Sequence, residues 1–227
     1  MGTLAGRQQQ GKVDAVTNDV ATRIAELFGR WPALSGFSLQ QPGTLTKDRM
    51  SGGLDGALCL ADVATDRWQG LSEAQALCDD IGLPTGIKTS GSTGLHVLIP
   101  LARQCTYEQS RTLGGLLARV IAARLPDIST VTRQVQKRGG KVYVDYVQNG
   151  HGRLLVAPFS VRPLPGAPVS TPISWDEVMP SLDIRSFTIK SVPDRMRNLP
   201  SDPLLPVLSE TPDLVEALAK LQSQLDE

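Results

Sequence analysis

A chain of 227 residues with 41% apolar and 20% charged residues is long enough to bury a sizeable core and has the composition of a soluble globular protein. Its formal net charge is zero, which excludes a global positive field for attracting a polyanion, so any nucleic-acid surface has to come from local clusters of Lys and Arg. Two histidines and three widely spaced cysteines, Cys59, Cys78 and Cys105, exclude a His-rich metal centre and a disulfide framework. Cys59 lies between two Leu residues and Leu77 precedes Cys78, and buried free thiols in a reducing cytoplasm are the expectation for all three.

Residues 1–15 read as a flexible tail rich in Gln. Asn18 then caps an expected helix with Val20, Ile24, Leu27 and Phe28 on one face, within an N-terminal segment, 16–56, whose Gly-rich second half shows no clear pattern. A core domain is expected over 57–197, opening with a buried strand from Ala57 to Val63. Ser72 and Gln75 form a capping-box pattern for a helix over Glu73 to Ile81, terminated by Gly82-Leu83-Pro84. A short strand runs into Lys88, and a second covers His96 to Leu101. Thr106 and Gln109 repeat the capping signal for a long helix that Pro126 stops.

Gly139-Gly140 signals a hairpin, with strands expected at Lys141 to Val147 and at Leu154 to Val161. Ser174 and Glu177 cap one more short helix, and Phe187-Thr188-Ile189 reads as a last strand. Residues 198–212 are Pro-rich and read as a linker, and 213–227 as an amphipathic helix through Leu214, Leu218, Leu221 and Leu225. Strands interleaved with helices indicate an α+β or mixed α/β fold. No apolar run approaches the ~20 residues that cross a bilayer, so no membrane partner is expected.

Three segments carry chemistry. Lys88 to His96, KTSGSTGLH, is a Gly and hydroxyl loop between strands whose backbone N–H groups could converge on an anion, although taken alone such a loop is more often a plain hairpin connection. It is not a Walker A loop, because no Gly-Lys-Ser/Thr closes it. The second segment is Val144 to Asn149, VDYVQN. A carboxylate on an apolar strand needs a cation, a metal or hydrogen-bond donors, unless Asp145 lies on a solvent face. Alternation sets Gln148 opposite Asp145, so a shared site requires the strand to end or bulge near Val147. The third runs from Val156 through Arg162 to Glu177. The planar fork of Arg162 could grip a phosphate or make a surface ion pair.

Taken together, KTSG-x-x-GLH, VDY-x-QN and VAPFSVR-x-x-PGAPVSTP-x-x-WDE resemble, in order and spacing, the polymerase domain of bacterial ligase D, in the archaeo-eukaryotic primase superfamily. The resemblance covers a little over half the chain. It implies a primase-polymerase core of mostly antiparallel sheet flanked by helices. Ser90, His96, Gln148 and Arg162 match nucleotide-pocket positions, with Lys88 at the head of the same loop, and Asp145 matches a catalytic metal-binding carboxylate. The implied chemistry is nucleotidyl transfer with Mg²⁺ or Mn²⁺, on DNA ends and nucleoside triphosphates, in end-joining repair alongside other end-joining proteins. The implied location is the bacterial cytoplasm, at the nucleoid when DNA is bound.

Two departures qualify the match. Thr93 stands where the family carries a loop Lys, and the family's Asp-x-Asp pair has no counterpart. Asp62 and Asp66 are the available carboxylates near that strand, separated by three residues. An i, i+4 pair is too far apart along an extended strand to clamp the same ions. Nucleotidyl transfer with reduced or lost catalysis is therefore one expectation, and a non-catalytic nucleotide- or DNA-end-binding accessory module is the other. Arg133, Lys137, Arg138 and Lys141 form a basic cluster that could meet DNA phosphates or simply be a solvated turn.

Overall fold

The computed structural model describes residues 57–64, 69–150, 153 and 155–226. The expected N-terminal tail and the Asn18-capped helix lie outside them. The main sheet is built from β1 (Ala57–Ala64), β2 (Gly86–Thr89), β3 (Gly94–Pro100) and β6 (Pro172–Ile173) in the order β1-β3-β2-β6. All its pairings are antiparallel. A small second sheet pairs β4 (Ser129–Thr130) with β5 (Val142–Tyr143). The helices are α1 (Gln69–Ile81), α2 (Tyr107–Arg124), α3 (Val192–Asn198), α4 (Leu205–Ser209) and α5 (Leu214–Asp226). The expected α+β class with an antiparallel sheet is what forms.

β3 is buried along its whole length, because both faces of the sheet are covered. Leu95, Val97 and Ile99 join the main core with Leu71, Leu77 and Ile81 of α1, Leu113, Leu117 and Ile121 of α2, and Leu214, Leu218 and Leu221 of α5. With Ala74 between Leu71 and Leu77, these helix positions recur at spacings of three and four, the period of one helical face. On the other face Leu98 packs with Leu204 and Val207, which α4 and its leading residue bring down onto the sheet. Gly86 permits that approach, since a Cβ there would meet Val207 Cγ2 at 2.5 Å and Leu204 Cδ2 at 2.7 Å. The second face also carries the side chains of the site.

The helix boundaries follow local chemistry in most places. Thr106 accepts from Gln109 N–H while the Gln109 side chain accepts from Thr106 N–H at 2.7 Å, closing the expected capping box of α2. α1 ends in a Schellman motif: Gly82 takes φ +78°, with Leu83 N–H donating to Cys78 O at 2.8 Å and Gly82 N–H to Asp79 O at 3.1 Å. Its start differs from expectation. The helix begins at Gln69 and Ser72 lies inside it, because the apolar face extends back to the wholly buried Leu71.

Four expectations about strands and their turn are corrected. Gly139 and Gly140 do turn the chain at positive φ, but β4 and β5 pair in parallel, so the connection is a crossover and not a hairpin. The strand from Lys141 ends at Tyr143, and 147–149 is a 3₁₀ turn. Between 155 and 161 there is only an isolated bridge, Val161 to Val169, and Thr188 makes a single bridge to Pro168. Trp175–Glu177 is a 3₁₀ turn whose Glu177 carboxylate accepts from Ser174 N–H and from Arg195 Nη2 at 2.6 Å. Burial pushes the Glu177 carboxyl up, but the Arg195 and Ser174 hydrogen bonds outweigh it and hold it below the ordinary carboxylate range.

Cys78 and Cys105 are buried free thiols, as expected, and burial pushes both up to about 12. Among the described residues no helix is long and apolar enough to cross a membrane.

Candidate functional site

Ten described polar or charged residues are buried, and six of them, Lys88, Thr89, Ser90, His96, Ser170 and Thr171, lie in one cluster. Buried polar groups are expensive without partners, so this concentration marks a site. The β2–β3 register sets Lys88 directly across from His96. Lys88 Nζ, wholly buried, donates to Ser170 Oγ at 2.7 Å and lies 3.0 Å from His96 Nδ1. Ser170 Oγ in turn donates to Thr89 O at 2.8 Å.

Hydroxyls zip the end of β2 to residues 169–171. Thr89 N–H donates to Thr171 O, Thr171 N–H donates to Thr89 Oγ1, and Thr89 Oγ1 donates to Val169 O, at 2.8, 2.8 and 3.0 Å. This brings two segments about 80 residues apart into one wall. Thr89, Ser170 and Thr171 were not singled out by sequence. The signal was a Ser-Thr pair held between Val169 and Pro172 in a stretch otherwise poor in polar side chains.

Ser90 shapes the loop. Its Oγ accepts from the N–H groups of Ser92 and Gly94, both at 3.1 Å, and Ser90 N–H donates to Gly94 O at 2.8 Å. Two of the loop amides therefore close the turn, and the Ser90 hydroxyl proton is the donor this arrangement leaves to the pocket. Gly91 sits at φ +68°, and a Cβ there would meet Arg162 Cγ at 2.8 Å and Ser170 N at 2.9 Å. The half-buried Arg162 thus lies along the loop, fixed by its own N–H donating to Pro168 O at 2.8 Å. Thr93 is exposed in the loop.

His96 is neutral here. Burial first, then the positive charges of Lys88 and Arg162, lower its pKa to about 3. The structure thus unites Lys88, Ser90, His96 and Arg162.

Asp145 and Gln148 meet in a second cluster. Asp145 is buried, and its carboxylate accepts from Val147 N–H at 2.8 Å, Gln148 Nε2 at 3.2 Å and Tyr143 Oη at 3.3 Å. Burial, followed by the Asp145 charge, pushes the Tyr143 hydroxyl up to about 12. This cluster is tied to the first through β1, which pairs with β3 and also packs against β5 and the 147–149 turn.

β1 carries a bulge. Leu60 pairs with Val97 and Val63 with Leu95, so Ala61 and Asp62 together oppose the single residue His96. Alternation had assumed an unbroken strand. The Asp62 side chain and the whole of Asp66 lie outside the described residues. Among the described residues, no three His, Cys, Asp or Glu side chains come together to hold a metal. Asp145 already accepts from three donors, and of the three candidate carboxylates it is the one whose side chain is described.

The basic cluster divides in two. Arg138 donates to Thr132 O and Arg133 O at 3.1 and 2.9 Å and stacks over the Tyr143 ring, and Lys141 donates to Pro126 O. Both brace the crossover. Arg133 and Lys137 are exposed.

A family model described as "LigD, primase-polymerase domain" matches residues 68–204. The chain is 34% identical over 130 residues to the bifunctional non-homologous end joining protein LigD of Bacillus subtilis, covering 57% of this chain and 21% of that protein. It is 31% identical over 139 residues to the multifunctional LigD of Pseudomonas aeruginosa, covering 60% of this chain and 16% of that one. It therefore spans about a fifth of the length of the curated relatives it matches. Among solved structures, the polymerase domain of Mycobacterium tuberculosis ligase D in complex with DNA aligns with a TM-score of 0.64 and 27% identity, over 76% of this chain and 60% of that one. The resemblance carried by the three sequence segments is thus borne out, and the chain belongs to the ligase D primase-polymerase domain family.

Proposed function

We propose that this chain binds a nucleoside triphosphate and acts at DNA ends as a ligase D-type primase-polymerase domain in end-joining repair, with reduced catalysis. The supporting observation is the convergence of Lys88, His96 and Ser170 beneath the Ser90–Gly94 loop, with Arg162 laid against Gly91. A triphosphate presents several anionic oxygens. Arg162 offers a planar fork of donors, His96 a neutral donor and Ser90 a hydroxyl proton. Lys88 contributes charge from beneath. Gln148, held by Asp145, borders the same region through β1 and would face the nucleotide. Arg133 and Lys137 would meet the DNA backbone.

The family reaction joins a 3′-hydroxyl to an α-phosphate with release of pyrophosphate, and Mg²⁺ or Mn²⁺ stabilises the charge on the reacting oxygens when bound. The sequence contains no Asp-x-Asp, and Asp145 carries three donors already, so no catalytic step is derived through a metal. That same observation favours a second reading, a non-catalytic nucleotide- or DNA-end-binding accessory that works beside other end-joining proteins.

Two measurements on the full chain separate these readings. ATP titration followed by calorimetry tests the pocket, and primer extension on a recessed DNA end with Mn²⁺ and labelled nucleotides tests catalysis. Binding with weak extension supports the first reading and binding without extension the second. Folded protein that binds neither nucleotide nor DNA ends at low salt sinks both.

A further inference from the structure

The wholly buried Lys88 raises the question of why a pocket for anions hides its ammonium beneath a histidine. An ammonium has three protons and no lone pair, so toward His96 Nδ1 at 3.0 Å it can only donate. Nδ1 is then the lone-pair nitrogen, and the single ring proton of a neutral imidazole sits on Nε2. The arrangement of Lys88 is fixed on its other sides. Nζ also donates to Ser170 Oγ at 2.7 Å and lies 3.4 Å from Thr89 O, while Ser170 spends its own proton on Thr89 O.

The backbone pins both partners through the β2–β3 register, so the Nζ to Nδ1 contact does not depend on a mobile loop. The described residues whose buried side-chain atoms lack partners are Ser110 and Arg195. His96 Nε2 is not one of those atoms, and His96 as a whole is 6% exposed. Arg162 lies along the same loop, its Cγ 2.8 Å from where a Gly91 Cβ would sit, and its charge reaches the His96 ring.

We propose that Lys88 is a positioning residue that locks His96 in the Nε2–H tautomer, so that the pocket presents a neutral, directed N–H donor to a phosphate oxygen of the nucleotide. The proposal rests on the nucleotide reading of this pocket. It divides the work between two residues. Lys88 supplies charge and orientation without reaching the ligand, and His96 makes the contact without a charge that would compete with Arg162.

The test is nitrogen-15 NMR of histidine-labelled protein. The chain has two histidines, His96 and His151, so His151→Gln leaves one ring to observe. At pH 7 the Nδ1 resonance is expected in the lone-pair range and the Nε2 resonance in the protonated range. Inorganic tripolyphosphate is expected to move Nε2 while Nδ1 stays of lone-pair type. Lys88→Met is expected to give a mixture of tautomers and to weaken tripolyphosphate about tenfold, the scale of one lost hydrogen bond. The parent spectrum decides the tautomer even if that variant fails to fold. A ring protonated on Nδ1 at pH 7, alone or as imidazolium, overturns the proposal. So does an Nε2 resonance unmoved by saturating tripolyphosphate. Absent binding of both tripolyphosphate and ATP instead overturns the nucleotide reading, and the ring spectrum then still reports whether Lys88 sets the tautomer.

Discussion

Gln148 Nε2 reaches Asp145 Oδ2 at 3.2 Å, although strand alternation over VDYVQN would put the two side chains on opposite faces. The strand stops at Tyr143, Tyr146 adopts helical backbone angles (φ −110°, ψ −5°), and the 3₁₀ turn at 147–149 swings Gln148 back. Val147 N–H, donating to Asp145 Oδ1 at 2.8 Å, holds that turn. An Asp side chain bonding the amide two residues on is a local alternative to continuing a strand. Asp145 therefore both ends the strand and gathers Tyr143 and Gln148 around itself.

Asp145→Asn should lower the Tyr143 pKa from about 12 without returning it fully to its ordinary range, because burial is the larger cause and remains. Stability should fall by about 1.5–3 kcal/mol, the scale of a charge-assisted hydrogen bond. Ultraviolet difference titration, with Tyr143→Phe to assign the signal, checks the shift. An unmoved tyrosine would show that Asp145 does not act on Tyr143.

Gly91→Ala should damage the pocket more than the fold. The residue is held at φ +68°, and a Cβ would press on Ser170 N at 2.9 Å, a backbone atom that cannot swing away. A loss of about 1–3 kcal/mol is expected in urea unfolding. Nucleotide affinity should fall further than global stability, since the displaced neighbours are Arg162 and Ser170. Equal binding by parent and variant in calorimetry would argue against this loop as a phosphate cradle.

His96 makes the protein sensitive to acid. Its pKa is lowered from 6.5 to about 3, so the folded state resists a proton that the unfolded chain accepts. Above pH 6.5 the ring contributes nothing to the pH dependence. As pH falls from about 6.5 towards 3, stability should decline by about 1.4 kcal/mol per pH unit from this group. Urea midpoints at pH 7, 5.5 and 4.5 should fall more steeply for the parent than for His96→Gln. Parallel slopes would contradict the depressed pKa.

The exposed pair Arg133 and Lys137 should carry salt-dependent DNA binding, whereas Arg138 and Lys141 should matter for folding. Arg133→Gln with Lys137→Gln should weaken binding to a recessed duplex and reduce the slope of log affinity against log salt by about 2. Arg138→Gln should lower thermal stability, because its guanidinium bonds two carbonyls and covers Tyr143. Anisotropy titrations at several salt concentrations, with melting curves, separate the two pairs. An unchanged salt slope in the double variant would place the DNA contact elsewhere.

Local chemistry made much of the molecule legible from sequence alone. The Thr106–Gln109 capping box, the Gly82 stop and the apolar stripe of α5 each depend on residues within a turn or two of one another, so their codes sit in a few consecutive letters. The three spaced segments likewise carried the family. The tertiary structure alone decided which strands pair and which side chains meet. Nothing local makes β4 and β5 parallel, doubles Ala61 and Asp62 against His96, or brings Ser170 to Lys88 across 82 positions. Pairing and register are chosen by which surfaces bury together, and that choice belongs to the whole fold.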